Sequence, residues 1–570
     1  MNVRDERPWA ASYPPGVPLD IDIPAESLVD LFETSVRRYG PKVALDFFGA
    51  TTTYSHLGDQ VARGAEVLRR LGVGPGDRVA IILPNCPQHV VAFYAVLRLG
   101  AVVVEHNPLY THDELEFQLG NHLPRVVIAW DKVAPMAHEI GNQIGVGSVL
   151  AVSLPAAMPL KMRLLLRLPV PKARESRAAL TAPAPGLWKW EQLVAHTPAL
   201  RYDYPRPTAD DTALLQYTGG TTGRPKGAVL THRNLRANAE QGLVWLPGIR
   251  RGEEVVYGVL PLFHAYGLTL CLTFAIAAGA TLVLFPRFDV DLMLDAQKRR
   301  PATFLPAVPP IYATLAEAAR EKDVDLTSIR YAFSGARALP RETAELWESA
   351  TGGVLVEGYG LTETSPVATG NPVDANRPGT IGVPLPSTEA KVVDRDDPTK
   401  EVAPGQPGEL LLRGPQVFHE YWHRPEESAV MVLDDGWIRT GDVVVMDDDG
   451  YFTIVDRIKD LIITGGFNVY PSEVEAAMRQ IAGVADAAVV GVPSEHSGEE
   501  VMAAVVMEPG ARFDEAAVRE AARERLTPYT VPKRVFEIDE LPRTVIGKIL
   551  HRQVKDQLQQ RQSAPGSKQA

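Results

Sequence analysis

The sequence predicts an α/β protein in two parts. A large N-terminal domain of packed α/β subdomains is expected over residues 1–458, a small α+β unit over 459–556, and a disordered tail over 557–570. Three observations carry this. Helix-like and strand-like segments alternate through the first part, the rhythm of βαβ units with mostly parallel sheets. The 570 residues are 45% hydrophobic and 22% charged, enough to bury several cores without disulfides. Near 455 a strand-like segment passes through the charged stretch DRIKD (456–460) into a new apolar run, and helix and strand signals then begin afresh.

The elements follow in order. Residues 28–39 (LVDLFETSVRRY) place apolar groups at helical spacing. Thr53, Tyr54 and Ser55 precede a second helix, HLGDQVARGAEVLRRLGV. Gly74-Pro75-Gly76-Asp77 is a turn, and VAIIL (79–83) is a buried strand by its unbroken apolar character. AFYAVLRLG, AVVVEHN, DELEFQLG and RVVIAW continue the alternation. Residues 155–186 interrupt it with a proline-rich, basic stretch. The run 268–285 (LTLCLTFAIAAGATLVLF) is uncharged and reaches the low end of a membrane span, but Gly279 and the β-branched residues behind it favour a buried helix, a turn and a strand. The end after Gln557 is rich in Gln, Ser and Gly, hence the disordered reading.

Composition narrows the function. With 58 basic and 70 acidic side chains the net charge is −12, which speaks against a general nucleic-acid binder. Any polyanionic ligand must be met by a local site. Two cysteines, Cys86 and Cys271, exclude a disulfide framework and a cysteine-rich zinc module. The charged, proline-rich start lacks the apolar core of a secretory signal, so a cytoplasmic setting is expected.

The most informative segment is LLQYTGGTTGRPKGAVL (214–230). A strand leads into Thr218, Gly219, Gly220, Thr221, Thr222 and Gly223, followed by Lys226. Glycines let the backbone approach a phosphate, successive N–H groups form an anion nest, and the threonines and Lys226 add donors and charge. It is not a Walker A loop, because Pro225 and Gly227 flank the lysine where Gly and Ser/Thr are required.

YTGGTTGRPKG resembles the signature of the adenylate-forming superfamily of acyl-CoA synthetases, luciferases and peptide-synthetase adenylation domains. Five further segments match in the expected order: PLFHAYG (261–267), EGYGLTE (357–363), RTGD (439–442), DRIKDLIITGGFNVYP (456–471) and PRTVIGK (542–548). The resemblance covers nearly the whole chain. It implies that Tyr359 stacks on adenine, that Gly335 and Ala336 border it, and that Thr362 binds phosphate. Glu363 would hold Mg²⁺, a hard cation suited to one carboxylate plus phosphate oxygens. Asp442 and Arg457 would contact the ribose, and His264 would border the acyl carboxylate, with an aromatic neighbour lining the pocket. Lys548 would be the catalytic lysine, orienting both reactants and stabilising the charge that builds during adenylation. Lys459 matches the hinge about which the small domain turns as a lid, bringing Gly465 and Gly466 toward the CoA arm. SGARAL (334–339) departs from the commoner SGGAPL, with Arg337 and Ala338 replacing a small residue and proline.

The implied reaction is that of an ATP-dependent acid:CoA ligase, passing through acyl-AMP and releasing pyrophosphate, then AMP. A medium- or long-chain fatty acid is the expected substrate. An aryl-acid CoA ligase and a fatty acyl-AMP ligase remain alternatives, and a non-catalytic lipid-binding scaffold is a third from another class. Residues 155–180 hold six Lys/Arg against one Glu, and MPLKMRLLLRLPVPK (158–172) reads either as a basic amphipathic contact for the inner face of a membrane or as an ordinary exposed insertion. A homodimer is left open.

Overall fold

Local signals place the first elements where the alternation predicts them. Ser27 opens helix Leu28–Tyr39 with a capping box: its hydroxyl accepts from Asp30 N, and the Asp30 carboxylate accepts from Ser27 N. Thr53 caps helix Tyr54–Arg70 in the same sense. The structure, a computed structural model, describes residues 7–218, 225–458, 460–464, 467–494, 498–544 and 547–563.

Among the described residues the strands form four sheets. The eight-stranded sheet has a parallel centre, in which Val102–Glu105 lies between Arg78–Ile82 and Thr212–Thr218. The nine-stranded sheet runs parallel through Val255–Gly258, Phe304–Ala307, Tyr331–Ser334 and Val354–Gly360. Loops leaving the C-terminal ends of these strands carry the motifs, the usual place for a ligand crevice in parallel α/β sheets. A third sheet is wholly antiparallel and pairs Asp442 of Ile438–Met446 directly with Arg457 of Phe452–Arg457.

One continuous core runs from Trp9 to Phe452. Two smaller clusters flank strands Val102–Glu105 and Val126–Trp130 within the same part, and two further clusters begin at Ile462. The latter sit on opposite faces of the hairpin formed by Val484–Ser494 and Gly498–Met507. Ala487 and Val489 face helices Pro471–Arg479 and Glu515–Arg523, while Ala488, Val490 and Val492 face helix His551–Ser563, the period-two alternation of a sheet covered on both sides.

Three sequence expectations change or resolve here. The reading of 557–570 as disordered is corrected for 557–563, which continue helix His551–Ser563. Val554 and Leu558, four residues apart, are fully buried against Ile538 and Leu541. Residues 564–570 lie outside the described residues. The apolar run at 268–285 folds as a buried helical segment ending at Gly279 and then strand Thr281–Leu284. No helix among the described residues is long and apolar enough to cross a membrane. Residues 155–180 form two short helices, Leu160–Leu165 and Pro171–Leu180, and Pro171 starts the second rather than stopping the first.

Candidate active site

The site lies where four strand ends and the small C-terminal unit converge. Of the expected residues, Gly219, Gly220, Thr221, Thr222, Gly223, Lys459, Gly465 and Gly466 lie outside the described residues. Thr218 ends strand Thr212–Thr218, and Lys226 begins strand Lys226–Thr231, its antiparallel partner. The loop between them is therefore anchored at both ends by a paired ladder.

Strand Val354–Gly360 delivers the second motif. Gly360 is required by close packing: a methyl group there would sit 1.8 Å from the Pro366 carbonyl oxygen. The glycine flanks thus let two backbones meet, a more specific reason than freeing the face of the Tyr359 ring. Tyr359 is 9% exposed, and its hydroxyl donates to Asp442 Oδ2 at 2.5 Å. Burial and the Asp442 charge keep that phenol protonated. The other carboxylate oxygen, Oδ1, meets Arg457 Nε at 3.0 Å. Asp442 is only 2% exposed, so this is a buried, doubly held carboxylate rather than a weak surface pair. A ribose hydroxyl would share its oxygens with Tyr359 and Arg457.

Thr362 and Glu363 occupy the turn Thr362–Thr364, closed by Ser365 N donating to Thr362 O at 3.2 Å. Glu363 is buried, and its Oε1 accepts from the Tyr421 hydroxyl at 2.5 Å. Phe418 N donates to the Glu363 carbonyl. Tyr421 was not marked by any motif. It arrives through strand Glu420–Tyr421, which pairs with Lys226–Thr231 and sets Tyr421 opposite Ala228. Lys226 Nζ lies 4.9 Å from the Tyr421 ring centroid, within cation–π range. Lys226, Tyr421 and Glu363 therefore form one connected set. A single buried carboxylate beside a threonine and a lysine suits a hard divalent cation shared with phosphate oxygens. The three-ligand cluster His112, Asp113 and Glu116 lies on an exposed helix start and is separate from this set.

The loop 259–264 is held from below. Asn85 donates to the Gly258 and Leu260 carbonyls and accepts from Leu262 N, and Gln216 donates to Phe263 O. His264 opens the helical segment that follows, with Nδ1 accepting from Tyr266 N at 3.2 Å. Burial, with the charge of Lys548 added, pushes the His264 ring down to about 4, so it is neutral at pH 7. Tyr266 turns inward, donating to Phe333 O at 2.7 Å, with Gly335 packed over its ring. Its role is to support the loop from inside. Ala336 adopts a left-handed φ of +67°. Glu357, in register with Ser334, accepts from Leu339 N, and burial raises its carboxyl to about 7.

A small, largely apolar cavity lies among Asn238, Trp245, Leu270, Phe274, Phe304 and Phe333. Phe304 comes from the segment 303–315, whose remainder forms strand Phe304–Ala307 and helix Pro309–Glu321.

Comparison with known proteins identifies the family. Residues 32–422 match the AMP-binding enzyme family, and residues 473–548 match the AMP-binding enzyme C-terminal domain. The chain is 39% identical over 559 residues to the long-chain-fatty-acid–CoA ligase of Bacillus subtilis (strain 168), covering 97% of this chain and 99% of the relative. It is 38% identical over 562 residues to the ligase of the same name from Salmonella typhimurium (strain LT2), covering 96% and 98%. The crystal structure of ATP-bound MatB from Rhodopseudomonas palustris superposes with a TM-score of 0.79 at 31% identity, covering 93% of this chain and 98% of that one. Matched along both of its parts, the chain belongs to the AMP-binding family of adenylate-forming enzymes.

Proposed function

We propose that this protein is an ATP-dependent acid:CoA ligase that activates a medium- or long-chain fatty acid through acyl-AMP. The observation that carries the reading is the pair of buried sets, Tyr359–Asp442–Arg457 and Lys226–Tyr421–Glu363, with Arg337 of the large domain lying against Gly547 beside Lys548. In the first half-reaction the fatty acid carboxylate attacks the α-phosphorus of ATP and pyrophosphate leaves. Lys548 orients the carboxylate and the phosphate and offsets their charge. Neutral His264 borders the carboxylate without donating a formal charge. Asp442 and Arg457 hold the ribose, and Thr218, the following loop and Lys226 hold the phosphates. Glu363, oriented by Tyr421, would hold Mg²⁺, whose charge would lower the repulsion between the two anions. In the second half-reaction the CoA thiol attacks the acyl carbonyl and AMP leaves. The small unit turns about Lys459 between the two, which we place at the boundary of the domains. The separate hydrophobic clusters on either side of it support that boundary.

The two fatty-acid-activating relatives support an aliphatic substrate. The test is a pyrophosphate-release panel over acetate, C8, C16 and coumarate, followed by thioester detection. Release confined to coumarate would favour the aryl-acid reading. Acyl-AMP without CoA consumption would identify an acyl-AMP ligase, and no acid-dependent release would leave only a binding role.

We also read 155–180 as a contact for an anionic lipid surface. Of fourteen large exposed hydrophobic residues among those described, five lie within 160–170: Leu160, Leu164, Leu165, Leu168 and Val170. Lys161, Arg163, Arg167, Lys172, Arg174 and Arg177 surround them, while Met162 and Leu166 pack inward on the core. Exposed leucines ringed by cations fit an acidic bilayer surface.

A further inference from the structure

Arg337 stands where the resembled pattern has a small residue, in the loop after strand Tyr331–Ser334. It belongs to the large domain, yet it lies across the turn that carries Lys548. A methyl group built on Gly547 would sit 3.2 Å from Arg337 Nη1 and 3.4 Å from its Cδ. That turn is tightly made. Gly547 adopts a left-handed φ of +81°, and its N–H donates to Thr544 O at 2.8 Å. Lys548 N donates to Thr544 Oγ1 at 3.1 Å, and Arg543 Nη1 donates to Gly547 O at 2.7 Å. Arg543 is paired in turn with Asp486, whose Oδ1 lies 3.4 Å from Arg479 Nη1. The charged groups that bear on Arg337 are Arg543, Asp486 and Arg479, all from the small unit. Asp486 thus pairs with two guanidinium groups of the small unit, and on Arg337 its attraction is set against the repulsion of Arg543 and Arg479.

We propose that Arg337 is a positioning residue for adenylation: it reaches from the large domain onto Gly547 and steadies it so that the adjoining Lys548 faces the reacting groups. The inference rests on the ligase reading for its catalytic consequence, but the contact itself does not. The contact exists only while the turn is seated in the site. Its loss therefore slows the first half-reaction and spares the second, in which Lys548 has withdrawn. Lysine at 337 keeps the charge but not the planar fork that lets a guanidinium lie across a backbone turn.

The test uses the full-length protein and its Arg337→Ala and Arg337→Lys variants in two measurements. ATP–pyrophosphate exchange with C16 acid is expected to fall at least about tenfold in Arg337→Ala through kcat, with the KM for ATP within threefold, and to recover in part in Arg337→Lys. Thioester formation from supplied acyl-AMP is expected to stay within twofold. Amide hydrogen exchange across 540–552 is expected to speed up in Arg337→Ala while the large domain keeps its protection. Equal loss in both half-reactions, or exchange activity within twofold of the parent, would overturn the positioning role. Unchanged amide exchange across 540–552 would overturn the contact itself. If the parent protein exchanges no pyrophosphate with any acid, the ligase reading fails and the adenylation role with it, while the amide measurement still decides the contact.

Discussion

Replacing Tyr421 by Phe removes one hydroxyl and little else. The ring keeps its edge contact with Phe418 and its place 4.9 Å from Lys226 Nζ, so packing and the cation–π contact persist. What disappears is the 2.5 Å hydrogen bond to Glu363 Oε1. Glu363 is 8% exposed, so water replaces that donor poorly. A hydrogen bond to a charged group contributes about 1.5–3 kcal/mol, roughly a 10- to 150-fold effect on whatever equilibrium it biases. If Glu363 holds Mg²⁺, that equilibrium is metal binding, where losing an orienting neighbour typically costs about 10–100-fold in affinity. The half-saturating Mg²⁺ concentration for fatty-acid-dependent pyrophosphate release is therefore expected to rise at least about tenfold in Tyr421→Phe, with the maximal rate largely recovered at excess Mg²⁺. An unchanged Mg²⁺ dependence would refute the link between Tyr421 and the metal. A rate loss that excess Mg²⁺ does not restore would place the hydroxyl's effect elsewhere.

The remaining expectations concern separate parts of the molecule. Lys548→Ala should abolish acyl-AMP formation yet leave thioester formation from supplied acyl-AMP largely intact, and equal loss in both steps would sink the assigned role. His232 is fully buried with both ring nitrogens unpartnered among the described residues, and burial pushes it from the usual 6.5 down to about 4. The unfolded chain then binds more protons between those values, so His232 withdraws stability as pH falls from 6.5 to 4, by about 3 kcal/mol in all. Denaturant unfolding of His232→Leu should gain that much relative to the parent between pH 7 and pH 4, and a pH-independent difference would contradict it. Vesicles of phosphatidylglycerol should retain the protein at low salt far better than those of phosphatidylcholine. Retention that persists when Leu164, Leu165 and Leu168 become Ser would exclude the 155–180 surface.

How far the sequence reaches depends on whether a signal is local. Helix Leu28–Tyr39 and strand Arg78–Ile82 are legible because their periodicity and caps lie within a few residues. Asp442 and Arg457 are legible as a pair only through the resemblance, and the sheet explains it by setting them directly opposite. Tyr421 is not legible, because it meets Glu363 through strand pairing with a segment far earlier in the chain. The helix through 557–563 is hidden for another reason. Its Gln-rich surface dominates the composition, while Val554 and Leu558 are too few to signal a buried stripe without the hairpin they cover. Arg337 is visible as a departure, yet its neighbours Gly547 and Asp486 come from the other domain.

The acidic balance of the chain raises a problem that the site geometry answers. A chain of net charge −12 whose ligands are polyanions must keep its own carboxylates from repelling them at close range. Among the described site residues each acid is held differently. Asp442 is paired with Arg457 and held by Tyr359, Glu363 is held by Tyr421, and burial lifts the Glu357 carboxyl to about 7. The cations are treated in the opposite way. Lys226 rests on an aromatic face, which leaves its charge available to phosphate. Local attraction for a nucleotide thus arises from suppressing acids as much as from supplying bases. By the same reasoning, Glu357→Gln should leave ATP binding near neutral pH little changed but abolish any weakening of it as pH rises through 7. An identical pH dependence of the ATP KM in parent and variant would show that Glu357 does not face the nucleotide.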